Sequence, residues 1–319
     1  MLTYLSAAAV RDCLPSVSTQ VELAQTALRA LATNQAEMPP KVAVHPRDSA
    51  LLEAMPAWWR NGDVAGLKWI SAFPSNRIHQ QPQVMGLIVL NDATTGAPVC
   101  ILDAVEITLA RTAAISALAL RLYRDSPHAV AILGAGAQAR AHISIAVALG
   151  FVHDLRVFDR HKERADELVS WSQSLAPSTL PGRACASAQD AVEGASVIIS
   201  CASLGTKRHL LQSEWVDAAR LVLAIDEDVY VSGDIVRASD AFIVDDINQF
   251  RSARDQGDFA GFPDPDGILG GYLSPEVSTV APAGRLVVIT LGVGIADIIF
   301  AAAVYQSARD AGIGLLLEP

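Results

Sequence analysis

The sequence predicts an α/β protein with a doubly wound parallel sheet and a second, discontinuous α+β domain. From residue 129 onward, short apolar strands alternate with helices, the pattern typical of parallel sheets covered by helices. Residues 39–103 instead contain strands joined by turn residues, which indicates an antiparallel or mixed sheet. At 319 residues and 51% hydrophobic composition, the chain is long enough to bury two cores.

The N-terminal elements follow from their periodicity. Residues 18–34 carry apolar side chains at helical spacing, with Ser18 or Thr19 as the cap. Asp92 to Gly96 has the composition of a hairpin turn. Strands are expected at 41–45, 66–72, 84–91 and 98–103, and a long helix at 106–123.

The remaining elements alternate. Strands are expected at 129–133, 155–158, 183–186, 196–201, 221–225 and 241–244. Helices are expected at 137–149, 162–174 and 187–192, and a last helix at 294–312 follows a strand that ends near Ile289. We therefore assign residues 125–290 to the parallel-sheet domain, and residues 1–124 with 291–319 to the other domain.

A glycine turn follows the first parallel strand. The turn contains Gly134 and Gly136, a helix follows it, and the next strand ends on Asp159. This is the layout of a dinucleotide-binding Rossmann unit, in which the turn and the helix N-terminus receive the pyrophosphate. Asp159 would accept hydrogen bonds from the adenosine ribose and favours NAD, whereas Arg160 leaves NADP as the alternative.

Composition excludes several classes of partner. The net charge is −10 without a basic patch, so we expect no nucleic acid partner. The apolar run 289–304 contains Gly292, Gly294 and Asp297, which argue against a membrane span, and no signal peptide is evident. The four cysteines lack metal-ligand or redox spacing, so we expect buried thiols, no metal site and a cytoplasmic location.

Four charged residues stand in apolar surroundings. Lys68 lies inside a strand, where it either faces solvent at an edge or serves a dry cleft at a lowered pKa. Arg111 lies in a helix of small residues, paired with a structural acid or available to a carboxylate. Asp228 follows a strand within three consecutive acids, either solvated or able to take a proton. Asp297 is equally open, as a helix N-terminal contact or part of an active-site wall.

Several motifs resemble the ornithine cyclodeaminase/mu-crystallin family, in order and over nearly the whole chain. They include Met38-Pro-Pro-Lys41, Glu53-Ala-Met55-Pro56, Gly66-Leu-Lys68, Arg111-Thr112-Ala-Ala and Gly134-Ala-Gly-Ala-Gln-Ala-Arg-Ala-His. The family has a Rossmann domain and a dimerising substrate domain. Its members transfer hydride at a carbon that bears nitrogen beside a carboxylate.

The resemblance implies roles for individual residues. Lys68 matches the active-site lysine, Arg111 the arginine that binds the substrate carboxylate, and Asp228 the acid that activates water or takes a proton. Glu53 and Met55 match the wall of the substrate pocket. The substrate-binding set also includes Lys41, where cyclodeaminases usually have arginine. Pocket loops are expected near 53–62, 75–83 and 257–272.

The expected ligands are NAD and a small amino acid substrate, and the expected assembly is a homodimer. The residues expected to contact the cofactor are Arg111, Thr112, Gly134, Gly136, Ala137, Gln138, Asp159, Arg160, Ala202, Ser203 and Asp297. Within the family, Phe73-Pro-Ser-Asn76 and the ending Tyr305 to Gly314 look closest to the N-(2-amino-2-carboxyethyl)-L-glutamate dehydrogenases, which release 2,3-diaminopropionate. The alternatives are an ornithine or lysine cyclodeaminase, a ketimine or imine reductase, and a non-catalytic nucleotide-binding protein of the mu-crystallin type.

Overall fold

The fold is known from a computed structural model that describes residues 1–123, 128–175, 180–203, 209–273 and 283–318. The chain divides into two compact units, Met1–Thr112 with Gly292–Pro319, and Ala113–Leu291. The sequence places the first boundary later, at 124/125. The difference arises within the helix Val105–Arg121, whose C-terminal half belongs to the second unit; there Ser116 Oγ lies 2.8 Å from His142 Nε2.

The described residues form strands and helices whose bounds are as follows. The strands are β1 (Leu2–Leu5), β2 (Ala36–Glu37), β3 (Val42–Arg47), β4 (Ala50–Trp59), β5 (Val64–Ala72), β6 (Val84–Asp92), β7 (Pro98–Asp103), β8 (His128–Leu133), β9 (Val152–Phe158), β10 (Gly182–Ala184), β11 (Val197–Ser200), β12 (Leu221–Ala224), β13 (Ala241–Val244), β14 (Gly267–Ile268), β15 (Leu286–Ile289) and β16 (Leu315–Leu317). The helices are α1 (Ala7–Asp12), α2 (Val17–Ala32), α3 (Val105–Arg121), α4 (Ala137–Ala148), α5 (Lys162–Gln173), α6 (Ala188–Val192), α7 (Gly233–Arg237), α8 (Ile247–Asp255), α9 (Leu269–Leu273) and α10 (Gly294–Ala311).

The first unit is built on one mixed sheet. Its strand order is β16-β1-β7-β6-β5-β4-β2, and β3 also pairs with β4. Helix α10 covers one face, where the row formed by Met55, Lys68 and Ile88 is buried. The close approach of α10 is visible at Gly294, where an added Cβ would lie 3.0 Å from the Met55 carbonyl oxygen.

The second unit is built on a parallel sheet with the order β10-β9-β8-β11-β12-β15-β13-β14. The predicted α/β fold with a doubly wound parallel sheet is therefore confirmed. The order in which strands are added reverses at β8: β9 and β10 lie on one side of it, and β11 and β12 on the other. Ligands of such sheets bind at the carboxyl ends of the strands beside this switch point. The sequence predicts only the end of β15, which inserts between β12 and β13.

One predicted loop is wrong. The sequence predicts a pocket loop at 53–62, but β4 runs to Trp59 and pairs with β5 from Leu51 to Trp59. Pro56 obscures this strand in the sequence because proline cannot donate a ladder hydrogen bond. It is tolerated because β3 pairs with β4 only up to Ala54 and β2 only from Trp58, which leaves Pro56 between them.

Three smaller findings concern a helix cap, the cysteines and the apolarity of the helices. Helix α2 is capped by Ser16, whose Oγ accepts from the Thr19 N–H, rather than by Ser18 or Thr19. The cysteines Cys13, Cys100, Cys185 and Cys201 are buried free thiols, as expected. Among the described residues, no helix has both the length and the apolarity to cross a membrane.

Candidate functional site

Lys68, Arg111 and Asp297 form one buried ion cluster in the first unit. Lys68 Nζ lies 2.8 Å from Asp297 Oδ2, and Arg111 Nε donates to Asp297 Oδ1 at 3.0 Å. The side chains of Lys68 and Asp297 are 1% and 0% exposed, and Arg111 is also buried. The structure therefore joins residues from β5, α3 and α10 that lie far apart in the sequence.

Local structure explains how this cluster forms. Lys68 lies on the covered face of β5, directly opposite Met55 of β4. Asp297 lies in the first turn of α10, where the N-terminal end of the helix dipole favours a carboxylate. Just before that helix, Gly292 has φ +90°, and an added Cβ would lie 3.1 Å from Arg111 Nη2. Glycine is required there for both the backbone conformation and the guanidinium.

The cluster carries an excess of positive charge. Burial lowers the pKa of the Lys68 ammonium to about 8; the Asp297 carboxylate opposes this change and the Arg111 charge adds to it. Two cations thus share the Asp297 carboxylate, and the Glu53 carboxylate, which also acts on Lys68, is paired with Lys41. Among the described residues, Asp297 is the hydrogen-bond acceptor of the Arg111 guanidinium, through Nε, so the Nη groups can engage a further carboxylate.

A second ion pair joins β4 to the residue that directly precedes β3. Lys41 Nζ is 3.2 Å from Glu53 Oε1, and both side chains are mostly buried. Glu53 and Met55 are two residues apart on β4, so their side chains share the face of the sheet that carries Lys68. The structure thus places the predicted substrate residues Glu53, Met55 and Lys68 on one face, with Lys41 paired to Glu53.

The glycine turn lies in the second unit, between β8 and α4. Gly134 has φ +101°, and an added Cβ would lie 2.7 Å from the Cys201 carbonyl oxygen. Gly136 caps α4, and among the described residues beyond its chain neighbours no heavy atom lies within 4 Å of the position that a Cβ would take. Gly136 and Ala137 are exposed, so the first-turn N–H groups of α4 meet an open approach. These features suit a pyrophosphate at the helix N-terminus.

Asp159 ends β9 beside this turn. Its Oδ2 accepts from the Ala135 N–H at 2.9 Å and its Oδ1 from the His161 N–H at 2.8 Å. The two bonds fix the carboxylate next to the turn while the side chain stays partly exposed. Arg160 is exposed.

Further predicted residues lie at the carboxyl ends of β11 and β12. Ala202 and Ser203 follow β11, and the Ala202 N–H donates to Asp226 Oδ2 at 3.0 Å. Asp228 is 3% exposed, and its Oδ2 accepts from the Phe259 N–H at 2.9 Å. Asp228 is therefore held in a fixed, buried position rather than on a solvated loop.

The placement of Asp297 differs in emphasis from the sequence-based expectation of a cofactor contact. Its carboxylate is shared by Lys68 and Arg111, which makes it part of the substrate-side cluster. Sequence reasoning does not single out Asp226 among the three consecutive acids, and it assigns no role to Thr290, yet both side chains are buried. Asp226 lies two residues after the end of β12, and Thr290 directly follows β15. A polar residue just after an apolar run that predicts a buried strand is a signal that can be found in the sequence. Within the described residues the Thr290 hydroxyl has no hydrogen-bond partner.

Comparison with known proteins identifies the class. A model of the ornithine cyclodeaminase/mu-crystallin family matches residues 4–312. The chain is 32% identical over 291 residues to the nodulation efficiency protein NfeD of Rhizobium meliloti, covering 88% of each chain. It is 30% identical over 227 residues to the ketimine reductase mu-crystallin of Mus musculus, covering 70% of each. The chain belongs to the ornithine cyclodeaminase/mu-crystallin family, and it is an enzyme.

Solved structures share the fold over the full chain. The Δ1-pyrroline-2-carboxylate reductase of Thermococcus litoralis, in complex with NADH and L-proline, has a TM-score of 0.86 at 21% identity, covering 99% of this chain and 100% of that one. An archaeal alanine dehydrogenase dimer with bound NAD has a TM-score of 0.87 at 23% identity, covering 99% of each chain. At these identities the likeness supports the fold alone.

Proposed function

We propose that this chain is an NAD-dependent oxidoreductase that acts on the C–N bond of an amino acid or N-substituted amino acid. The observation that carries the proposal is the buried cluster of Lys68, Arg111 and Asp297. Its excess positive charge suits a substrate carboxylate, since a buried cation needs a partner. Membership of the ornithine cyclodeaminase/mu-crystallin family supports hydride transfer between such a substrate and a nicotinamide nucleotide.

The second unit fits a dinucleotide. Gly134 and Gly136 keep the turn free of side chains, and the first turn of α4 would bind the pyrophosphate. Asp159, fixed by two N–H donors, would bind the ribose hydroxyls and repel a 2′-phosphate, which favours NAD over NADP. Remaining contacts in this unit are proposed for Ala137, Gln138, Ala202 and Ser203. When bound, NAD supplies the acceptor for a hydride from the substrate α-carbon.

The first unit would hold the substrate. The Nη groups of Arg111 offer a planar fork that can bind the α-carboxylate of the substrate. The Lys68 ammonium adds a second positive charge that attracts the same carboxylate. Lys41, Glu53 and Met55 would line the rest of the pocket. The Lys41–Glu53 pair provides both a donor and an acceptor for a polar substrate side chain.

Asp228 would serve as the proton acceptor. Loss of hydride from the α-carbon leaves an iminium, and Asp228 would take a proton from the water that attacks it. Cleavage of the C–N bond then gives an amine and a 2-oxo acid, so one substrate, one NAD and one water yield amine, oxo acid, NADH and a proton. For N-(2-amino-2-carboxyethyl)-L-glutamate, the finer substrate that we propose, the products are 2,3-diaminopropionate and 2-oxoglutarate.

Two substitutions test the assignment. Lys68→Ala removes an anchor of the carboxylate, and Asp228→Asn removes the proton acceptor, so each should lower kcat/KM by about 10²–10⁴-fold. NADH binding should stay within about threefold, because neither residue belongs to the proposed dinucleotide site. Asp255→Asn, an exposed acid of the same unit outside the expected pocket loops, is the matched control for Asp228→Asn. Wild-type turnover in both Lys68→Ala and Asp228→Asn would contradict the proposal.

Other members of the family define the second candidate. A cyclodeaminase would release ammonia without net NADH, and an imine reductase would consume NADH with a cyclic imine. Lys41 in place of the arginine usual in cyclodeaminases favours the first proposal, because lysine lacks the bidentate fork. Incubation with NAD and ornithine, lysine, alanine or N-carboxyalkyl amino acids, followed by NADH absorbance and product mass, separates these activities. Binding of NADH without turnover of any substrate would indicate a non-catalytic protein.

We also propose a homodimer. The face of the first-unit sheet opposite α10, here called the outer face, exposes the apolar side chains Val42, Val44, Trp69, Met85 and Leu87. Contiguous exposed apolar side chains of this kind mark protein interfaces. The archaeal alanine dehydrogenase of the same fold is a dimer, which supports a second copy of this chain as the partner.

A further inference from the structure

Asp226 is a buried carboxylate that the proposed reaction does not use. It is 1% exposed and lies two residues beyond the end of β12. Its Oδ1 accepts from Ser200 Oγ at 2.7 Å, and its Oδ2 accepts from the Ala202 N–H at 3.0 Å. One side chain therefore ties the end of β11, and the peptide that follows it, to the end of β12.

The peptide that Asp226 holds is the one against which the glycine turn packs. At Gly134, an added Cβ would lie 2.7 Å from the carbonyl oxygen of Cys201 and 3.1 Å from the nitrogen of Ala202. The Cys201–Ala202 peptide thus has the Gly134 turn on one side and the Asp226 carboxylate on its N–H. A shift of this peptide would change the space available to the turn, because backbone packed at this distance cannot move independently.

We propose that Asp226 is a positioning residue for the dinucleotide site, which holds the Cys201–Ala202 peptide in the place that the Gly134 turn requires. The proposal rests on the NAD binding proposed above, and it assigns to Asp226 no contact with substrate or cofactor. A carboxylate accepts a hydrogen bond from a peptide N–H most strongly when it is ionised.

Burial moves the ionisation of this carboxylate into the neutral pH range. It raises the pKa of Asp226 to about 7, against the hydrogen bonds from Ser200 and Ala202, which act in the opposite direction. The titratable groups that face it are Cys201, at the end of β11, and Glu227, its neighbour in the chain. Burial also raises the pKa of Cys201 well above its usual value, so that thiol stays neutral across the neutral range.

The test compares NADH binding in three variants of the full chain. Asp226→Ala removes the acceptor of the Ala202 N–H and should weaken NADH binding about tenfold or more at pH 8. Asp226→Asn keeps an oxygen for that N–H and an amide donor for Ser200 Oγ but lacks the negative charge, so at pH 8 it should bind NADH several-fold more weakly than wild type, as weakly as wild type binds at pH 6. Ser200→Ala leaves the Ala202 bond in place and is the matched control. Circular dichroism and melting temperature report whether each variant is folded.

Dissociation constants at pH 6, 7 and 8 add a measurement that a purely structural role would not move. Wild-type affinity should fall several-fold from pH 8 to pH 6 as Asp226 gains a proton, and Asp226→Asn should lose this dependence. Wild-type affinity in folded Asp226→Ala would overturn the proposal. Should Asp226→Ala fail to fold, an unchanged pH profile in Asp226→Asn would overturn it. A wild-type chain that binds no NADH would instead contradict the proposed function.

Discussion

Asp297 is the counter-ion shared by two cations that the first unit buries. Lys68 and Arg111 both bond to its carboxylate, and all three side chains are excluded from water. Taking one partner from a buried ion cluster leaves an uncompensated charge, which costs more than the pair itself contributes. The residue that fixes the geometry of the substrate side is therefore an acid that does not need to touch the substrate.

The pH dependence of substrate binding follows from this arrangement. The pKa of Lys68 is lowered to about 8. Its side chain therefore carries a positive charge below pH 8 and loses that charge as the pH rises through this value. KM for a carboxylate substrate should therefore rise above pH 8. Asp297→Asn removes the charge that opposes the lowering, so the rise should begin at lower pH, and unfolding free energy should fall by about 3–5 kcal/mol.

Measurement of KM between pH 6 and 10, with urea unfolding, checks this prediction. Asp310→Asn is the control, because Asp310 lies in the same helix but is exposed and bonds to Gln306. An Asp297→Asn enzyme with a wild-type pH profile would show that the carboxylate does not tune Lys68.

At the scale of elements, the two glycines of the β8–α4 turn should respond differently to alanine. Gly134→Ala meets the Cys201 carbonyl and an unfavourable φ of +101°, so it should lose about 1–3 kcal/mol of stability as well as NADH binding. In Gly136→Ala the added methyl group contacts no atom of the described residues, and the φ of −93° suits alanine, so the variant should fold normally. It should bind NADH less tightly, because the methyl group enters the space through which the pyrophosphate reaches the first turn of α4. Thermal unfolding and NADH titration of both variants check this. Equal stability of the two variants would contradict the steric argument at Gly134.

The sequence predicts most of these elements because their signals are local. The helices at 137–149 and 162–174 are found within a residue at α4 and α5, since apolar periodicity and the glycine turn suffice. Strand β4 was missed because Pro56 contradicts a strand unless its neighbours are known to leave a gap. Strand β15 pairs with β12 and β13, and such an insertion depends on contacts between distant segments.

The residues of the candidate site also fall into those that a local sequence motif predicts and those whose partners are distant in the sequence. Gly134, Gly136 and Asp159 belong to one continuous motif, and their places follow from its spacing. The partners of Lys68 do not, because Asp297 lies on another element far along the chain and no local pattern pairs them. Asp226 shows the same limit: the three consecutive acids are visible in the sequence, but which of them holds the Ala202 peptide depends on how the strand ends.

At the scale of the whole molecule, the outer face predicts assembly. Trp69→Glu combined with Leu87→Lys places charges on that face, and the dimer should dissociate to a monomer. Sedimentation velocity measures the state, and Ile78→Lys is the control, because Ile78 is 82% exposed but lies outside the outer face. A wild-type chain that sediments as a monomer, or a double variant that stays dimeric, would contradict this assembly.

The first unit draws on both ends of the chain, and this has a consequence for biosynthesis. Lys68 and Arg111 leave the ribosome early, whereas Asp297 and the helix that carries it come after the whole second unit has been made. Until then the two cations have no counter-charge and cannot be buried without a large cost. The ion cluster thus delays closure of the substrate side until the segment that follows the second unit has been translated, and a chain interrupted before residue 297 would be left open to proteolysis.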